Sequence, residues 1–201
     1  MDLIVVMGPQ AVGKMTVGKV LEEQMDARLL FNHETLDIFA RFLGYTKKAF
    51  ELSDQVRFNL FEAFVKQPNT AVKGIIFTVV VAFDNQADME YLQKITNIFK
   101  DAGGRTFLIE LYADVETRLV RNTGESRLLA KPSKRNVEFS RKELLSSMEK
   151  HRLNSFPGEV EEKIKGAYYY KIDNTHLSPQ ETAEQILAFI EKVNQTAFFI
   201  E

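Results

Sequence analysis

The stretch LIVVMGPQAVGKMTVG, residues 3–18, decides the fold. Its first five residues are an unbroken apolar run of the kind that parallel sheets bury on both faces. Gly8 and Gly13 then bracket a turn, Lys14 follows, and residues 14–25 take up a helical period. Strand, glycine-bracketed loop, lysine and helix are the parts of a phosphate-binding loop, whose pattern is G-x-x-x-x-G-K-[ST]. The glycines let the backbone curl so that the N–H groups of Ala11, Val12, Gly13 and Lys14 converge on phosphate oxygens, and the helix adds its positive end. Lys14 reaches the β- and γ-phosphates as a point charge. One position departs from the pattern: Met15 stands where a hydroxyl should follow the lysine, and the hydroxyl arrives one residue later, at Thr16. The alternative reading is an ordinary strand-turn-helix joint with an exposed lysine.

Composition bounds the rest. A chain of 201 residues, 45% of them hydrophobic, can bury a full core in one domain, residues 1–201, with a mobile insert. A net charge of -2 points to neither nucleic acid nor an anionic membrane as partner. With no cysteine there is no disulfide framework, thiolate metal site or cysteine nucleophile. No basic n-region with a long apolar segment opens the chain, and its longest apolar run, 75–83, is broken by Thr78 and too short to span a membrane. These features predict a soluble cytoplasmic protein, monomeric or homodimeric.

Short apolar runs alternate with segments of helical period, which argues for an α/β architecture: a five-stranded parallel sheet with helices on both faces. The strands are predicted at 3–7, 28–31, 74–83, 106–112 and 168–172, and helices at 14–25, 35–43, 54–66, 89–102 and 115–122. Gly103 and Gly104 stop the fourth helix. A last helix starts at Ser178-Pro179-Gln180-Glu181, where serine caps, proline fits the first position and glutamate completes a capping box. Residues 118–135, RLVRNTGESRLLAKPSKR, break the rhythm with six basic residues against the single acid Glu125. Such a run is either a solvated basic face or a surface with an anion nearby.

The run Gly13-Lys14-Met15-Thr16 resembles the loop of adenylate kinases and their relatives, which carry a non-hydroxyl residue after the lysine and a threonine next. Over nearly the full length, the order of parts is similar to that of the P-loop small-molecule kinases, the group of shikimate, gluconate, adenylate and chloramphenicol kinases. Residues 112–121, YADVETRLVR, resemble the segment where those kinases pass from the fourth strand into an arginine-bearing helix, and 118–135 falls where they keep a lid over ATP. YYYKIDNTHLSP, 168–179, resembles their last strand and its loop toward the adenine. The GPxAVGKMTVG loop is also shared with bacterial P-loop proteins of unassigned function. The resemblance implies a three-layer P-loop NTPase fold with a mobile lid, ATP and Mg²⁺ as cofactors, and a small-molecule acceptor. It further implies nucleotide contacts from Gly8, Ala11, Val12, Gly13, Lys14, Met15, Thr16, Arg118 and Asn174, with Arg121 and Arg127 stabilising the transferred group from the lid. Thr16 takes over the phosphate or Mg²⁺-shell contact, because methionine cannot serve a cation that wants oxygen.

In open α/β sheets ligands gather at the carboxyl ends of the strands. After the second strand come Asn32, His33 and Asp37, at the position that binds the acceptor in the resembling kinases; a histidine there is either catalytic or a structural hydrogen-bonding group. Arg57, on an otherwise apolar helix face, resembles the substrate-carboxylate arginine of shikimate kinases, or else forms a salt bridge with Glu62 or another acid. Asp84, after the third apolar run, has the form of a carboxylate that orders Mg²⁺ or accepts the acceptor's proton, though a helix cap reads the same. Arg152 and Asn154 either extend the lid or close a helix ahead of Pro157-Gly158. The paired aspartate and glycine pair of shikimate kinases and the D-G-[FY]-P run of adenylate-type enzymes are absent. The expected activity is phosphoryl transfer from ATP to a small hydroxylated or phosphorylated molecule. The alternative is an ATP-binding protein or slow ATPase without a dedicated acceptor. A switch GTPase is disfavoured, since no N-K-x-D run appears.

Overall fold

A computed structural model describes residues 1–124 and 136–198. The chain runs β1 (Asp2–Met7), α1 (Lys14–Gln24), β2 (Ala27–Phe31), α2 (Asn32–Leu43), α3 (Lys47–Lys66), β3 (Gly74–Val79), α4 (Gln86–Asp101), β4 (Arg105–Tyr112) and α5 (Val115–Asn122). After residues 125–135 it continues with α6 (Val137–Lys150), α7 (Glu159–Lys163), β5 (Tyr168–Asp173) and α8 (Pro179–Phe198). The five strands lie parallel in the order β2-β3-β1-β4-β5. All five carboxyl ends therefore meet along one edge of the sheet. The connection after β1 leaves toward β2 and that after β3 crosses to β4, so the crevice for a ligand opens beside β1.

Alternation along β1 explains the three layers. Leu3, Val5 and Met7 face one core with Phe61 and Phe64 of α3 and Leu92, Ile95 and Phe99 of α4. Ile4 and Val6 face the other, with Val17 and Leu21 of α1 and Ala183, Ile186 and Ile190 of α8. All five residues from Leu3 to Met7 are fully buried, which is why they read as a continuous apolar run. Phe61, Phe77 and Phe99 are buried completely and meet edge to face around the Phe61 ring, each burial contributing roughly 2–3 kcal/mol.

Most predicted elements appear, with three corrections. β3 ends at Val79, not 83, because the chain turns away there and Phe83 N–H donates to the Arg152 carbonyl instead of a neighbouring strand. α3 begins at Lys47, well before the predicted 54, with Thr46 as its cap accepting from the Ala49 N–H. Helices α6 and α7 are additions; Ser140, Leu144 and Ser147 mark a half-polar inner face on α6, too weak a stripe to read as amphipathic. The capping box at the start of α8 forms as expected, Glu181 N–H to Ser178 Oγ at 3.1 Å and Ser178 N–H to Glu181 Oε2 at 2.8 Å. No helix among the described residues is long and apolar enough to cross a membrane.

Candidate active site

The loop between β1 and α1 is held in a conformation that few residue types accept. Gly8 has φ 138° and Gly13 φ 112°, and Ala11 sits at φ 61°, a left-handed position that costs an alanine about 1 kcal/mol. Strain of this kind persists where the surroundings enforce it, and they do so here from four directions. Arg118, 2% exposed, donates Nε–H to the Gln10 carbonyl at 2.9 Å. The Gln10 amide donates to Ser147 Oγ of α6 at 3.0 Å. Asn174 Nδ2 donates to the Val12 carbonyl at 3.0 Å, and Arg121 Nη1 donates to the same oxygen at 3.1 Å. Lys14 Nζ donates to the Gly8 and Pro9 carbonyls at 2.6 and 2.7 Å.

Gly8 also has no room for a side chain, since a Cβ would lie 2.4 Å from the Leu111 carbonyl oxygen of β4. A Gly8→Ala substitution must displace backbone as well as force φ 138° on an alanine. It is expected to destabilise the protein by about 2–4 kcal/mol in denaturant titration and to weaken nucleotide binding by reshaping the loop.

Above the loop lies a cavity of about 850 Å³. Its floor is Gln10, Ala11 and residues 13–17, including Lys14, Met15 and Thr16. On the β5 side its wall is formed by Val120 and Arg121 of α5 with Asn174 and Leu177; Phe139 and Glu143 of α6 also line it. On the β2 and β3 side are Asn32, His33, Leu36, Tyr45, Phe50, Thr78, Val79 and Val80. Burial lowers the pKa of Arg121, whose Nη2 donates to the Asn174 carbonyl at 2.8 Å. Arg118 stays beneath the loop, with burial pulling its guanidinium down to about 10 and its Nη2 meeting no hydrogen-bond partner among the described residues.

His33 and Asp37 face one another across a helical turn of α2, Nδ1 to Oδ1 at 3.1 Å. A carboxylate only accepts, so Nδ1 of the neutral ring carries the proton and Nε2 carries the lone pair. Asp37 Oδ1 also accepts from Tyr45 Oη at 3.1 Å, so the carboxylate is held from two sides.

Arg118, Arg57 and Asp84, expected at the site, do not line the cavity; Arg118 is spent on the Gln10 carbonyl behind the loop. Arg57 is 4% exposed and does not line the cavity: Nε donates to Thr35 Oγ1 at 2.9 Å, Nη1 to Asp54 Oδ1 at 2.8 Å and Nη2 to the Asn32 carbonyl at 2.8 Å. It clamps α2 to α3, with Asp54, not Glu62, as its acid. Burial raises the pKa of Asp54 against the pull of Arg57. Asp84 lies outside the cavity lining, because β3 has already ended; its Oδ1 accepts from the Arg152 N–H at 3.1 Å. The helix cap there is Asn85, and Asp88 Oδ2 accepts from the Ala82 N–H at 2.7 Å. Arg127 falls outside the described residues, as does most of the predicted lid.

Sequence reasoning missed a buried anchor behind the site. Glu110 of β4 is fully buried and accepts from Asn154 Nδ2, the Ser155 N–H and Oγ, Tyr169 Oη and Lys171 Nζ. Burial pushes its carboxyl up, but the hydrogen bonds from Ser155, Asn154, Lys171 and Tyr169 outweigh that and the net shift is downward. Asn154 and Arg152 thus fix the loop after α6. Arg152 forms a two-pronged pair with Glu159 at 2.6 and 2.7 Å. Hydrogen bonds from Arg152, opposed by burial and reinforced by Lys163, hold the Glu159 carboxyl down at about 2. Since the folded value lies below the ordinary 4.5, its stabilising effect is complete above about pH 4.5 and is lost as pH falls toward 2. Arg152→Ala should therefore lower the melting temperature at pH 6 and narrow its gap from wild type as pH drops through that window, read by thermal denaturation across pH.

A parallel sheet in the order 2-3-1-4-5, with a strained glycine loop leaving the central strand and a helix N-terminus under it, decides the fold comparison. The fold is that of the small-molecule P-loop kinases. A gluconokinase from Sinorhizobium meliloti 1021 superposes with a TM-score of 0.62 at 15% identity, covering 100% of this chain and 97% of that one. A shikimate kinase from Acinetobacter baumannii, solved with shikimate, gives 0.52 at 21% identity over 94% and 93%. The tunicamycin resistance protein of Deinococcus radiodurans gives 0.53 at 16% identity over 95% and 96%. No protein-family model and no curated protein matches the sequence.

Proposed function

We propose that the protein moves the γ-phosphoryl group of ATP onto a hydroxyl of a small molecule bound beside His33. The observation that carries this reading is that one cavity is lined both by the loop residues 13–16 and by His33. The loop N–H groups and Lys14 would hold the β- and γ-phosphates, Lys14 exchanging the Gly8 and Pro9 carbonyls for phosphate oxygens. The nucleoside would lie toward Val120, Asn174 and Leu177, leaving the β2 and β3 side to the acceptor. Arg121, already against the loop, is placed to follow charge developing on the transferred group. Mg²⁺ would neutralise phosphate charge. Thr16 offers it one hydroxyl; among the described residues no group of three His, Asp or Glu could cage a metal, which suits an ion carried by phosphates and its own waters.

Asp84, being outside the cavity, is replaced in this proposal by His33 as the group that takes the acceptor's proton, with Asp37 and Tyr45 orienting the ring. The fold of the structural relatives supports the reading; their substrates do not transfer at 15–21% identity. The test is transfer of label from γ-labelled ATP into a library of hydroxylated metabolites. A labelled product made by wild type and not by Lys14→Ala supports the reading. Slow ATP hydrolysis that no compound quickens would leave an ATP-binding protein or slow ATPase in its place.

A further inference from the structure

Helix α2 is anchored along one side and open along the other. On the inner side Thr35 and Leu36 are buried; Thr35 Oγ1 meets Ser53 Oγ of α3 at 2.8 Å, and Arg57 of α3 donates to the same hydroxyl and to the Asn32 carbonyl. The outer side is thereby held in one place before anything binds to it. Glu34, Ile38, Arg41 and Phe42 stand on that side at i, i+4, i+7 and i+8, the spacing of one helical face, and all four are exposed. Ile38 is 52% exposed and Phe42, one turn on, 81%, so the apolar surface is contiguous and not scattered singly.

Charge gives this face a direction. Glu34 lies in the first turn of α2 and Arg41 in the last. They are seven residues apart, about 10 Å along the axis and beyond the i, i+4 range over which helical charges pair. A face with an acid at one end, a base at the other and an apolar centre complements itself when turned end for end. A twofold axis beside Ile38, close to the midpoint of positions 34 and 41, sets two copies of α2 antiparallel. Glu34 of each copy then faces Arg41 of the other, the two Ile38 side chains meet at the axis, and each Phe42 packs over the first turn of the opposite helix. A parallel pairing would set like charge against like, which destabilises the contact.

From this we infer that the exposed face of α2 is the interface of a symmetric homodimer, its occupant a second copy of this chain. The inference stands apart from the phosphoryl-transfer reading, since neither His33 nor Asp37 is among the four positions that pair. One helix from each copy is a small contact, which sets the dissociation constant in the micromolar range.

The test is sedimentation velocity of the whole chain over about 1–100 µM, where a concentration-dependent monomer–dimer equilibrium is expected. Phe42→Asp is expected to weaken it at least about thirtyfold. Glu34→Arg and Arg41→Glu should each weaken it about tenfold, because either reversal turns both symmetric ion pairs into like-charge contacts. The double exchange, Glu34→Arg with Arg41→Glu, restores opposite charges across the axis and should return the constant to within about threefold of wild type. Circular dichroism of the variants as monomers should match wild type, since all three positions are exposed, and this separates lost pairing from lost folding. A wild type still monomeric at the highest concentration would give the face to another partner and overturn the inference. A dimer that tolerates Phe42→Asp or the single reversals, or reversals that the double exchange does not rescue, would overturn it as well.

Discussion

Lys14→Ala is expected to abolish most of the thermal stabilisation that Mg·ATP confers, while lowering the melting temperature of the unliganded protein only slightly. Two separate interactions make the difference. Without nucleotide, Lys14 Nζ donates to the Gly8 and Pro9 carbonyls at 2.6 and 2.7 Å, so its removal leaves loop carbonyls to water at a cost of about 1 kcal/mol. With nucleotide, a charge-assisted contact to phosphate is lost, roughly 1.5–3 kcal/mol and so about 10–100-fold in affinity. Ligand binding to the native state raises apparent stability by an amount set by free ligand over Kd, and the shift at fixed Mg·ATP therefore reads the second effect alone. Equal shifts in wild type and variant would remove Lys14 from the phosphates. Lys14→Arg should recover little, because the guanidinium fork does not fit where a point charge reaches two carbonyls 6 and 5 residues back.

The layered fold was legible because burial on both faces leaves a plain mark. Residues 3–7 are apolar without interruption since each of them faces one of two cores, and the glycine loop after them must turn where β1 ends. β3 was read too long for the same reason: Val80, Val81, Ala82 and Phe83 continue the apolar run although the chain has left the sheet, and Val81 and Phe83 pack into the core as loop residues. An apolar run records burial, and hydrogen-bond register must be known before it records a strand. That overextension misplaced Asp84 at a strand tip.

The site divides along a similar line. Lys14, Thr16, Asn174 and His33 line the cavity because each follows a strand or sits in the first turn of a helix, so sequence position brings them to the carboxyl edge, whereas Arg121, in the last turn of α5, was expected there from the resemblance alone. Arg57 could be read either as a ligand arginine or as the partner of an acid, because a buried guanidinium that ties two helices and one that receives a ligand occupy the same place on a helix face. Only its partners, Thr35 Oγ1, Asp54 and the Asn32 carbonyl, separate the two. Glu110 was invisible for a different reason. It interrupts a strand pattern at one position, and the five donors that tolerate it there come from Asn154, Ser155, Tyr169 and Lys171, some 44–61 residues later in the chain.

His33→Ala is expected to lower kcat for the preferred acceptor by about 10²–10³-fold with little change in the KM for ATP. His33 lines the cavity on the side away from Arg121 and Asn174, so its loss should spare the nucleotide. Asp37→Asn is the sharper probe. An asparagine presents either an oxygen or an amide to Nδ1 at the 3.1 Å separation seen here, so it ceases to dictate which ring nitrogen holds the proton. A base whose tautomer is no longer imposed spends part of its time with the proton on Nε2, where it cannot accept another. The expected loss is about tenfold in kcat, and Tyr45→Phe, which removes the second hydrogen bond to Asp37 and keeps the first, should cost less. The order His33→Ala, Asp37→Asn, Tyr45→Phe in declining effect on kcat is what a base with an orienting partner requires. Asp84→Asn, whose carboxylate holds the Arg152 N–H outside the cavity, should leave kcat unchanged. Single-turnover measurements with all four variants decide the matter: if Asp84→Asn stops transfer and His33→Ala does not, the proton passes to Asp84 and the His33–Asp37 pair is only structural.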